Sequence, residues 1–132
     1  MMDAYLATTY WVLGTRAIGL RIGVPAPELE LVTESGMGGR IAFITACNPA
    51  SKPLPTNENA QRLKQAQETL SGLSKRWIPG VGLADDGCWC EPSLLAWPLT
   101  EVEAGTLASA WGQNAWVHVG GDWIPRLFST QR

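Results

Sequence analysis

The chain has 132 residues, of which 45% are hydrophobic and 17% are charged, and its formal net charge is -2 with a pI near 5.3. This composition predicts one globular domain, residues 1–132, with a substantial core, and it excludes a disordered chain. The slightly acidic balance, without any run of Lys or Arg, argues against a nucleic acid as a partner.

The chain shows no signal for export or membrane insertion. No apolar stretch approaches the roughly 20 residues that cross a bilayer, and residues 1–9 lack the basic and apolar regions of a secretory signal. Cys47, Cys88 and Cys90 are an odd number of cysteines without a disulfide framework. We therefore expect a cytoplasmic protein with no membrane partner. A single His beside three Cys argues against zinc, so we expect no metal and no cofactor, and the oligomeric state is left open.

The first third of the chain predicts a hairpin, a short helix and a buried strand. Aromatic and β-branched side chains over 5–13, followed by alternation over 16–22, predict two paired strands. A short helix is predicted within 27–34, and the glycine-rich segment 35–39 is predicted to be a loop. A strand is predicted at 40–47, because the segment from Ile41 begins as an uninterrupted apolar run, which is typical of a strand buried on both faces.

The second helix is the most clearly marked element. Leu63, Ala66 and Leu70 recur at three- and four-residue spacing within 57–71, which is the apolar stripe of an amphipathic helix. Counting back four residues from Leu63 places Asn59 on this stripe, in the first turn. A carboxamide that faces the core needs a hydrogen-bond partner, so Asn59 is a candidate for a binding site as well as for a structural role.

Strands and one more helix complete the chain. The remaining predicted elements are a weak strand at 77–83, a strand at 88–97, a helix capped by Thr100 with Glu103 in capping-box spacing, and strands at 115–119 and 123–128. The order β-β-α-β-α-β-β-α-β-β predicts a single compact α+β domain with a mostly antiparallel mixed sheet and about three helices.

Two polar segments interrupt this apolar framework. The buried strand ends at Asn48, and Ser51 follows in a proline-containing corner shortly before the second helix. Further along, Glu91 and Ser93 break the otherwise large and apolar face of their strand. Pro92 lies between them and cannot donate to a sheet, so this strand is predicted to lie at an edge or to carry a bulge.

Several short motifs occur in order along the chain. They are Tyr10, Leu20-Arg-Ile-Gly23, Ile44-Thr-Ala-x-Asn-Pro-x-Ser51, Glu58-Asn59, Glu91-Pro-Ser93 and Gly112-Gln-Asn-Ala115. Together they resemble the small bacterial family catalogued as domain of unknown function 3293 (DUF3293), over about residues 5–128. That family commonly has tryptophan where this chain has Cys47, which implies that Cys47 is not needed for any shared chemistry. The resemblance supports the fold boundaries and the choice of residues, but it implies no reaction.

The polar residues at these points predict a site for a small molecule. Amides and hydroxyls suit hydrogen bonds to a polar ligand, a helix N-terminus favours a phosphate or carboxylate, and Arg62, one turn beyond Asn59, adds positive charge. We therefore predict a pocket for a small polar metabolite or nucleotide, phosphorylated or not, between the Asn48 corner and the strand of Glu91. The predicted ligand-binding residues are Asn48, Ser51, Asn59, Arg62, Ser93 and Gln113.

An enzyme and a structural interpretation are both open at this stage. Glu91 is the only acid of the set and is the candidate general acid, general base or nucleophile, as for glycosidic or N-ribosyl cleavage. The alternative is a non-catalytic interaction or regulatory module in which the same polar groups cap helices and join loops. His118 alternates with Trp116 on a strand, with no Ser–Asp arrangement nearby, so we expect it to pack and not to serve a hydrolase triad.

Overall fold

Seven strands form one antiparallel sheet in the computed structural model, which describes residues 2–33 and 40–130. The loop predicted at 35–39 lies outside the described residues. The strands are β1 (Thr8–Leu13), β2 (Ala17–Leu20), β3 (Ile41–Ile44), β4 (Arg76–Ala84), β5 (Cys90–Trp97), β6 (Ala115–Val119) and β7 (Pro125–Ser129). Their order across the sheet is β2-β1-β4-β5-β3-β6-β7.

Four helices accompany the sheet within the described residues. They are α1 (Met2–Leu6), α2 (Leu29–Thr33), α3 (Thr56–Gly72) and α4 (Glu101–Ala110), and a single 3-10 turn occupies Pro49–Ser51. The predicted α+β class is confirmed, as is the order of strands and helices from β1 onward. The first strand is shorter than predicted because α1 occupies the start of that segment. In the described part of the chain, no helix is both long and apolar enough to cross a membrane.

The sheet curls so that its two edges approach each other. Beyond β2, the Gly23 N–H donates to the Pro125 carbonyl (2.9 Å) at the start of β7. The Ala26 N–H donates to the Trp123 carbonyl (2.8 Å) just before that strand. Side chains from distant strands therefore pack into one apolar cluster on the inner face of the curl. The buried members of this cluster include Tyr10, Val12, Leu20, Ile41, Phe43, Leu95, Val117 and Val119.

Helices α3 and α4 pack on the outer face of the sheet. The apolar stripe predicted for α3 is observed, since Ala66 and Leu70 are fully buried in the outer cluster. In α4 the buried residues are Ala104 and Ala108, whose small side chains allow the helix to lie close to the strands. The capping box predicted at Thr100 is present and satisfies the first turn of α4.

The prediction that the strand of Glu91 lies at an edge or carries a bulge is wrong. β5 lies between β4 and β3, and it pairs with β4 in unbroken register from Cys90 to Trp97. Pro92 is tolerated because β3 pairs only with residues 94–96 of β5, which leaves β5 with one partner strand at Pro92. The short β3 also leaves the beginning of β5, where Glu91 lies, open on that side.

Candidate functional site

A cavity of about 700 Å³ opens at one end of the inner face of the sheet. It lies where β1, β5 and β6 begin and where β3 and β4 end, so five adjacent strands contribute to its lining. Helix α1 supplies a further wall through Ala4 and Tyr5. This volume lies within the range of small-molecule binding sites.

The register of the sheet places Glu91 on the same face as Tyr10. Tyr10 of β1 pairs with Gly82 of β4, which in turn pairs with Glu91 of β5. Because directly paired residues point to the same face of a sheet, Tyr10 and Glu91 flank a position that has no side chain. A methyl group at Gly82 would contact Tyr10 Cδ1 only at 3.7 Å, so this glycine leaves space between the two.

The corner that follows β3 has a strained backbone. Asn48, Ala50 and Ser51 have φ angles of 47°, 55° and 61°, which lie in the left-handed region that costs free energy for residues other than glycine. The Ala50 N–H donates to the Gly112 carbonyl (2.8 Å), and the Ser51 N–H donates to the Asn48 carbonyl (2.9 Å). These bonds hold the corner against the loop after α4 and bring Asn48 and Ser51 to the cavity.

Asn59 is the partner that fixes Asn48. Its Oδ1 accepts the Asn48 backbone N–H (2.9 Å), and its Nδ2 donates to Asn48 Oδ1 (2.8 Å) and to the Leu54 carbonyl (3.3 Å). The Leu54 N–H donates to Asn48 Oδ1 as well (3.0 Å). With two donors at its oxygen, the Asn48 carboxamide has one orientation, and its Nδ2 group faces Glu91.

Glu91 is the ionisable group at the centre of the site. Its Oε2 accepts a hydrogen bond from Asn48 Nδ2 (3.1 Å). Burial raises the pKa of Glu91 from 4.5 to about 7, and the hydrogen bond from Asn48 offsets part of that rise. Within residues 2–33 and 40–130, no cation pairs with this carboxyl and Oε1 accepts no hydrogen bond. One oxygen is therefore held in place while the other is open to a ligand.

Gln113 and Arg62 support the corner from the side of α3 and α4. Gln113 lines the cavity, and its Nε2 donates to the Cys47 carbonyl (3.0 Å). Arg62 Nε donates to the Ala46 carbonyl (2.6 Å), and its Nη2 donates to the Trp111 carbonyl (2.7 Å). Arg62 is not among the lining residues, and its guanidinium is engaged by the backbone just before the corner and at the end of α4.

The cavity brings together five of the seven residues predicted for the site. Asn59 and Arg62 stand behind the corner and act on its backbone, as their hydrogen bonds show. Ser93 is only 3% exposed, and its hydroxyl donates to the Glu91 carbonyl (3.0 Å). The five residues that line the cavity are Asn48, Ser51, Glu91, Ser93 and Gln113.

Cys47 is fully buried and does not line the cavity. Burial raises the pKa of its thiol, so the thiol stays protonated and is a poor nucleophile at neutral pH. Its place agrees with what the family resemblance implies, namely that this position takes no part in shared chemistry.

Five aromatic residues line the cavity, and none of them was assigned to it from the sequence. Burial is the main cause of the raised pKa of the Tyr5 and Tyr10 phenols, and the charge of Glu91 adds to the rise for both. The ring of Tyr10 packs edge to face on Phe43, with centroids 5.4 Å apart. Trp89 precedes Glu91 by two residues, so two-residue alternation alone puts both on one face of an extended segment. Tyr5 lies in a helix too short to show a period. The fifth, Trp116, belongs to the outer cluster, and the name aromatic wall is used for the other four, Tyr5, Tyr10, Phe43 and Trp89.

Arg21 ties together the rim of the cavity. Its Nη1 lies 2.7 Å from Asp85 Oδ1 and donates to the Thr9 hydroxyl (3.0 Å). Its Nη2 donates to the Leu6 carbonyl (2.9 Å). The hydrogen bond from Arg21 lowers the pKa of Asp85. These contacts join the end of α1, strand β1 and the turn between β4 and β5, where Asp86 also reaches the rim.

The lining is acidic and contains no base in the part of the chain that the structure describes. Its carboxyl groups belong to Glu91, Asp85 and Asp86, and none of the lining residues is Lys, Arg or His. Such a lining favours a cation or a neutral hydrogen-bond donor over a phosphate. Among the described residues, no group of three or more His, Cys, Asp or Glu is arranged to hold a metal ion.

Comparison with known proteins identifies a family of unknown function. The model of the family described as "Protein of unknown function (DUF3293)" matches residues 44–116. This segment contains the corner, helix α3, the strand of Glu91 and the turn of Gln113. No curated protein and no solved structure matches the chain.

Proposed function

We propose that this chain, which belongs to the DUF3293 family, binds a small polar molecule in the cavity at Glu91. The family description assigns no activity, so the proposal is built on the site alone. One observation carries it, namely that Asn48 holds Oε2 of Glu91 while Oε1 is open in a cavity of about 700 Å³.

The energetic cost of the site supports a role beyond folding. An ionisable carboxyl in apolar surroundings favours the folded state less than an apolar side chain of similar size. The corner that presents Asn48 also contains three residues other than glycine with left-handed backbone angles, and strain of this kind clusters at functional sites. A ligand that uses Glu91 and the corner together accounts for both costs.

The lining sets the shape and chemistry of the ligand. The aromatic wall offers flat apolar surface, while Glu91, Ser51 and Gln113 contribute polar groups. A ligand that matches both has a ring or other apolar body and at least one N–H or O–H group to donate. A nucleobase or nucleoside meets this description and fits the volume.

The rival function is an interaction or regulatory module in which the polar residues only maintain the fold. The contacts of Asn59 and Arg62 support this alternative, because both side chains hydrogen-bond to the corner and its surroundings. The environment of Glu91 distinguishes the two hypotheses. A structural network has no need of an open carboxyl oxygen beside an aromatic wall.

A thermal-shift experiment across a panel of nucleobases, nucleosides, nucleotides and small amines tests the proposal. Glu91→Gln removes the charge at the site, and Gly82→Leu fills the cavity from β4. Glu68→Gln is the matched control, because Glu68 is exposed on α3 and lies outside the cavity lining. We expect at least one compound to raise the Tm of wild type and of Glu68→Gln, and both cavity variants to weaken that rise.

Two outcomes contradict the proposal. One is a panel in which no compound stabilises the wild type. The other is a stabilisation of equal size in wild type, Glu91→Gln and Gly82→Leu, which would place the binding site elsewhere. Circular dichroism of each variant establishes that it is folded before the comparison is made.

The pKa of Glu91 favours acid–base catalysis as a second candidate function. A carboxyl with a pKa of about 7 gains and loses a proton near neutral pH, as a general acid or base requires. Glu91 would then protonate the leaving group in glycosidic or N-ribosyl cleavage. Nucleoside substrates incubated with wild type, Glu68→Gln and Glu91→Gln test this. Loss of about 100-fold in turnover for Glu91→Gln alone supports the role, and turnover unchanged by Glu91→Gln contradicts it.

A further inference from the structure

We infer that the ligand of the Glu91 cavity is an organic cation, with a compact ring or alkyl body that carries a protonated amine, amidine or ring nitrogen. This inference rests on the proposed function and narrows the ligand to one charge class. Three features of the cavity carry it: the sign of its charges, the chemistry of its wall and the open oxygen of Glu91.

The sign of the charges disfavours an anion. In the part of the chain that the structure describes, Arg21 and Arg62 are the basic side chains bonded to the segments around the cavity, and neither is available to an incoming phosphate or carboxylate. Arg21 is paired with Asp85, and Arg62 donates to the carbonyls of Ala46 and Trp111 on the far side of the corner. A bound anion would face Glu91 and gain no cationic partner from the described lining.

The N-terminus of α3 does not supply an anion site to this cavity. The sequence favoured a phosphate there because the first turn of a helix presents free N–H groups. However, none of residues 52–62, which include this first turn, lines the cavity. A phosphorylated ligand is therefore disfavoured, and it becomes one of the outcomes that the experiment distinguishes.

The aromatic wall suits a cation as well as a ring. The faces of tyrosine, phenylalanine and tryptophan rings carry negative potential and attract an ammonium or guanidinium group within about 6 Å. Tyr5 and Tyr10 lie close enough to Glu91 for its charge to act on their phenols. The wall and the carboxyl thus surround the same space and favour the same sign of ligand charge.

Glu91 itself lacks the partner that a cation would provide. An ionised carboxylate in apolar surroundings is costly without a counter-charge, and a charge-assisted hydrogen bond from an N–H⁺ group to Oε1 would remove that cost. Among the described residues, the ionisable or charged groups around Glu91 are Tyr5 on α1, Tyr10 on β1, the thiols of Cys47 and Cys88, and Asp85 and Asp86 on the β4–β5 turn. None of these groups is a cation, so none competes with the ligand for Oε1.

Binding of a cation at Glu91 is expected to release a proton. With a pKa of about 7 in the free protein, the ionised fraction of Glu91 rises about tenfold between pH 6 and pH 8. A cation binds the ionised form, so its Kd is expected to fall about tenfold over this range. For a neutral ligand that accepts no proton and donates one hydrogen bond, the Kd is expected to depend much less on pH.

Matched probes of different charge test the inference by calorimetric titration. One set shares an indole skeleton: tryptamine, tryptophol and indole-3-acetate. The other shares a phenyl skeleton: phenethylamine, 2-phenylethanol and phenylacetate. Each probe is titrated into wild type, Glu91→Gln and Glu68→Gln at pH 6, 7 and 8. We expect the amine of each set to bind at least about tenfold more tightly than the carboxylate, with the pH dependence above in wild type and Glu68→Gln but not in Glu91→Gln.

The outcomes separate the two proposals. If an alcohol or carboxylate probe binds as tightly as its amine, and Glu91→Gln still weakens that binding, the cation inference fails while the binding function stands. If amines bind without pH dependence and equally to Glu91→Gln, the inference also fails, since Glu91 is then not their partner. If no probe of any charge binds, the result counts against the inference and the proposed function together.

Discussion

At the scale of single residues, two amides acting in series fix the position of the Glu91 carboxyl. Asn59 fixes both the backbone and the side chain of Asn48, and Asn48 then donates to Oε2 of Glu91. Apolar neighbours raise the pKa of the carboxyl toward neutrality. The hydrogen bonds fix one oxygen of Glu91, and burial determines how readily the group ionises.

Glu91→Gln is expected to change how stability depends on pH. The folded-state pKa of about 7 lies above the ordinary value of 4.5, so the folded state binds more protons between these values and its free energy of unfolding falls as pH rises through that window. The variant lacks this fall. At pH 8 its free energy of unfolding should exceed that of the wild type by at most roughly 3 kcal/mol, at about 1.36 kcal/mol per pKa unit. The difference is smaller if solvent screens the charge.

Urea denaturation of wild type, Glu91→Gln and Glu68→Gln at pH 5 and pH 8 measures this effect. The wild type and the exposed-site control should lose stability together between the two pH values, while Glu91→Gln stays level. Parallel pH profiles for all three proteins would show that Glu91 has an ordinary pKa and would remove the physical basis of the site.

Asn59→Ala is expected to destabilise the protein by about 2–3 kcal/mol. The substitution removes the acceptor of the buried Asn48 N–H and a donor to Asn48 Oδ1, and unsatisfied buried polar groups carry costs of this size. Asn57→Ala is the control, because Asn57 is exposed in the same turn of α3. Equal and small losses for the two variants in chemical denaturation would mean that Asn59 does not hold the corner.

At the scale of elements, two glycines of β4 that are two residues apart have different surroundings. A methyl group at Gly80 would lie 2.7 Å from Phe43 Cε2 and 2.8 Å from the Trp11 carbonyl oxygen. At Gly82 the nearest contact would be 3.7 Å away, at Tyr10. One glycine therefore permits close packing of the inner cluster, and the other leaves the cavity open.

The two glycines give a matched pair of substitutions in one strand. Gly80→Ala is expected to cost about 1–3 kcal/mol, because the clash involves a backbone oxygen and a buried ring. Gly82→Ala is expected to change stability by no more than about 0.5 kcal/mol, since the methyl group enters open space. Thermal and urea denaturation of the pair measure the difference. A loss at Gly82 as large as that at Gly80 would mean that the cavity is closed in solution.

Local patterns predicted α3 well, but they did not show what its polar residues contact. The spacing of Leu63, Ala66 and Leu70 placed Asn59 on the buried side, and the structure confirms that side. The same reasoning placed Arg62 near a ligand, whereas its length lets it reach carbonyls on two other segments. Helical periodicity fixes the face of a residue, and long flexible side chains then find partners that no local pattern shows.

At the scale of the whole molecule, the cavity depends on long-range strand pairing. The sequence predicted α+β order and brought Asn48, Glu91 and Gln113 together through motif order alone. It could not place Tyr10 beside Glu91, because that proximity arises from the register of β1 on β4 and of β4 on β5. Nor did it predict an interior position for β5, since Pro92 is an edge signal in local terms and is tolerated here only because β3 is short.

The curl of the sheet explains why so small a chain can hold a cavity of this size. Contacts between the segment after β2 and the start of β7 close the inner face into one apolar cluster. The cluster packs well at one end of the sheet, while small residues such as Gly82 leave the other end open. The site is thus the end of the core that side chains do not fill.

The most direct test of the central claim is equilibrium dialysis against a metabolite mixture, with bound compounds identified by mass spectrometry. Wild type, Glu68→Gln, Glu91→Gln and the cavity-filling Gly82→Leu are compared at equal concentration. Binding at the Glu91 cavity predicts that wild type and Glu68→Gln retain at least one small polar compound that the two cavity variants do not. Retention of the same compounds by all four proteins, or of none by the wild type, would contradict the claim.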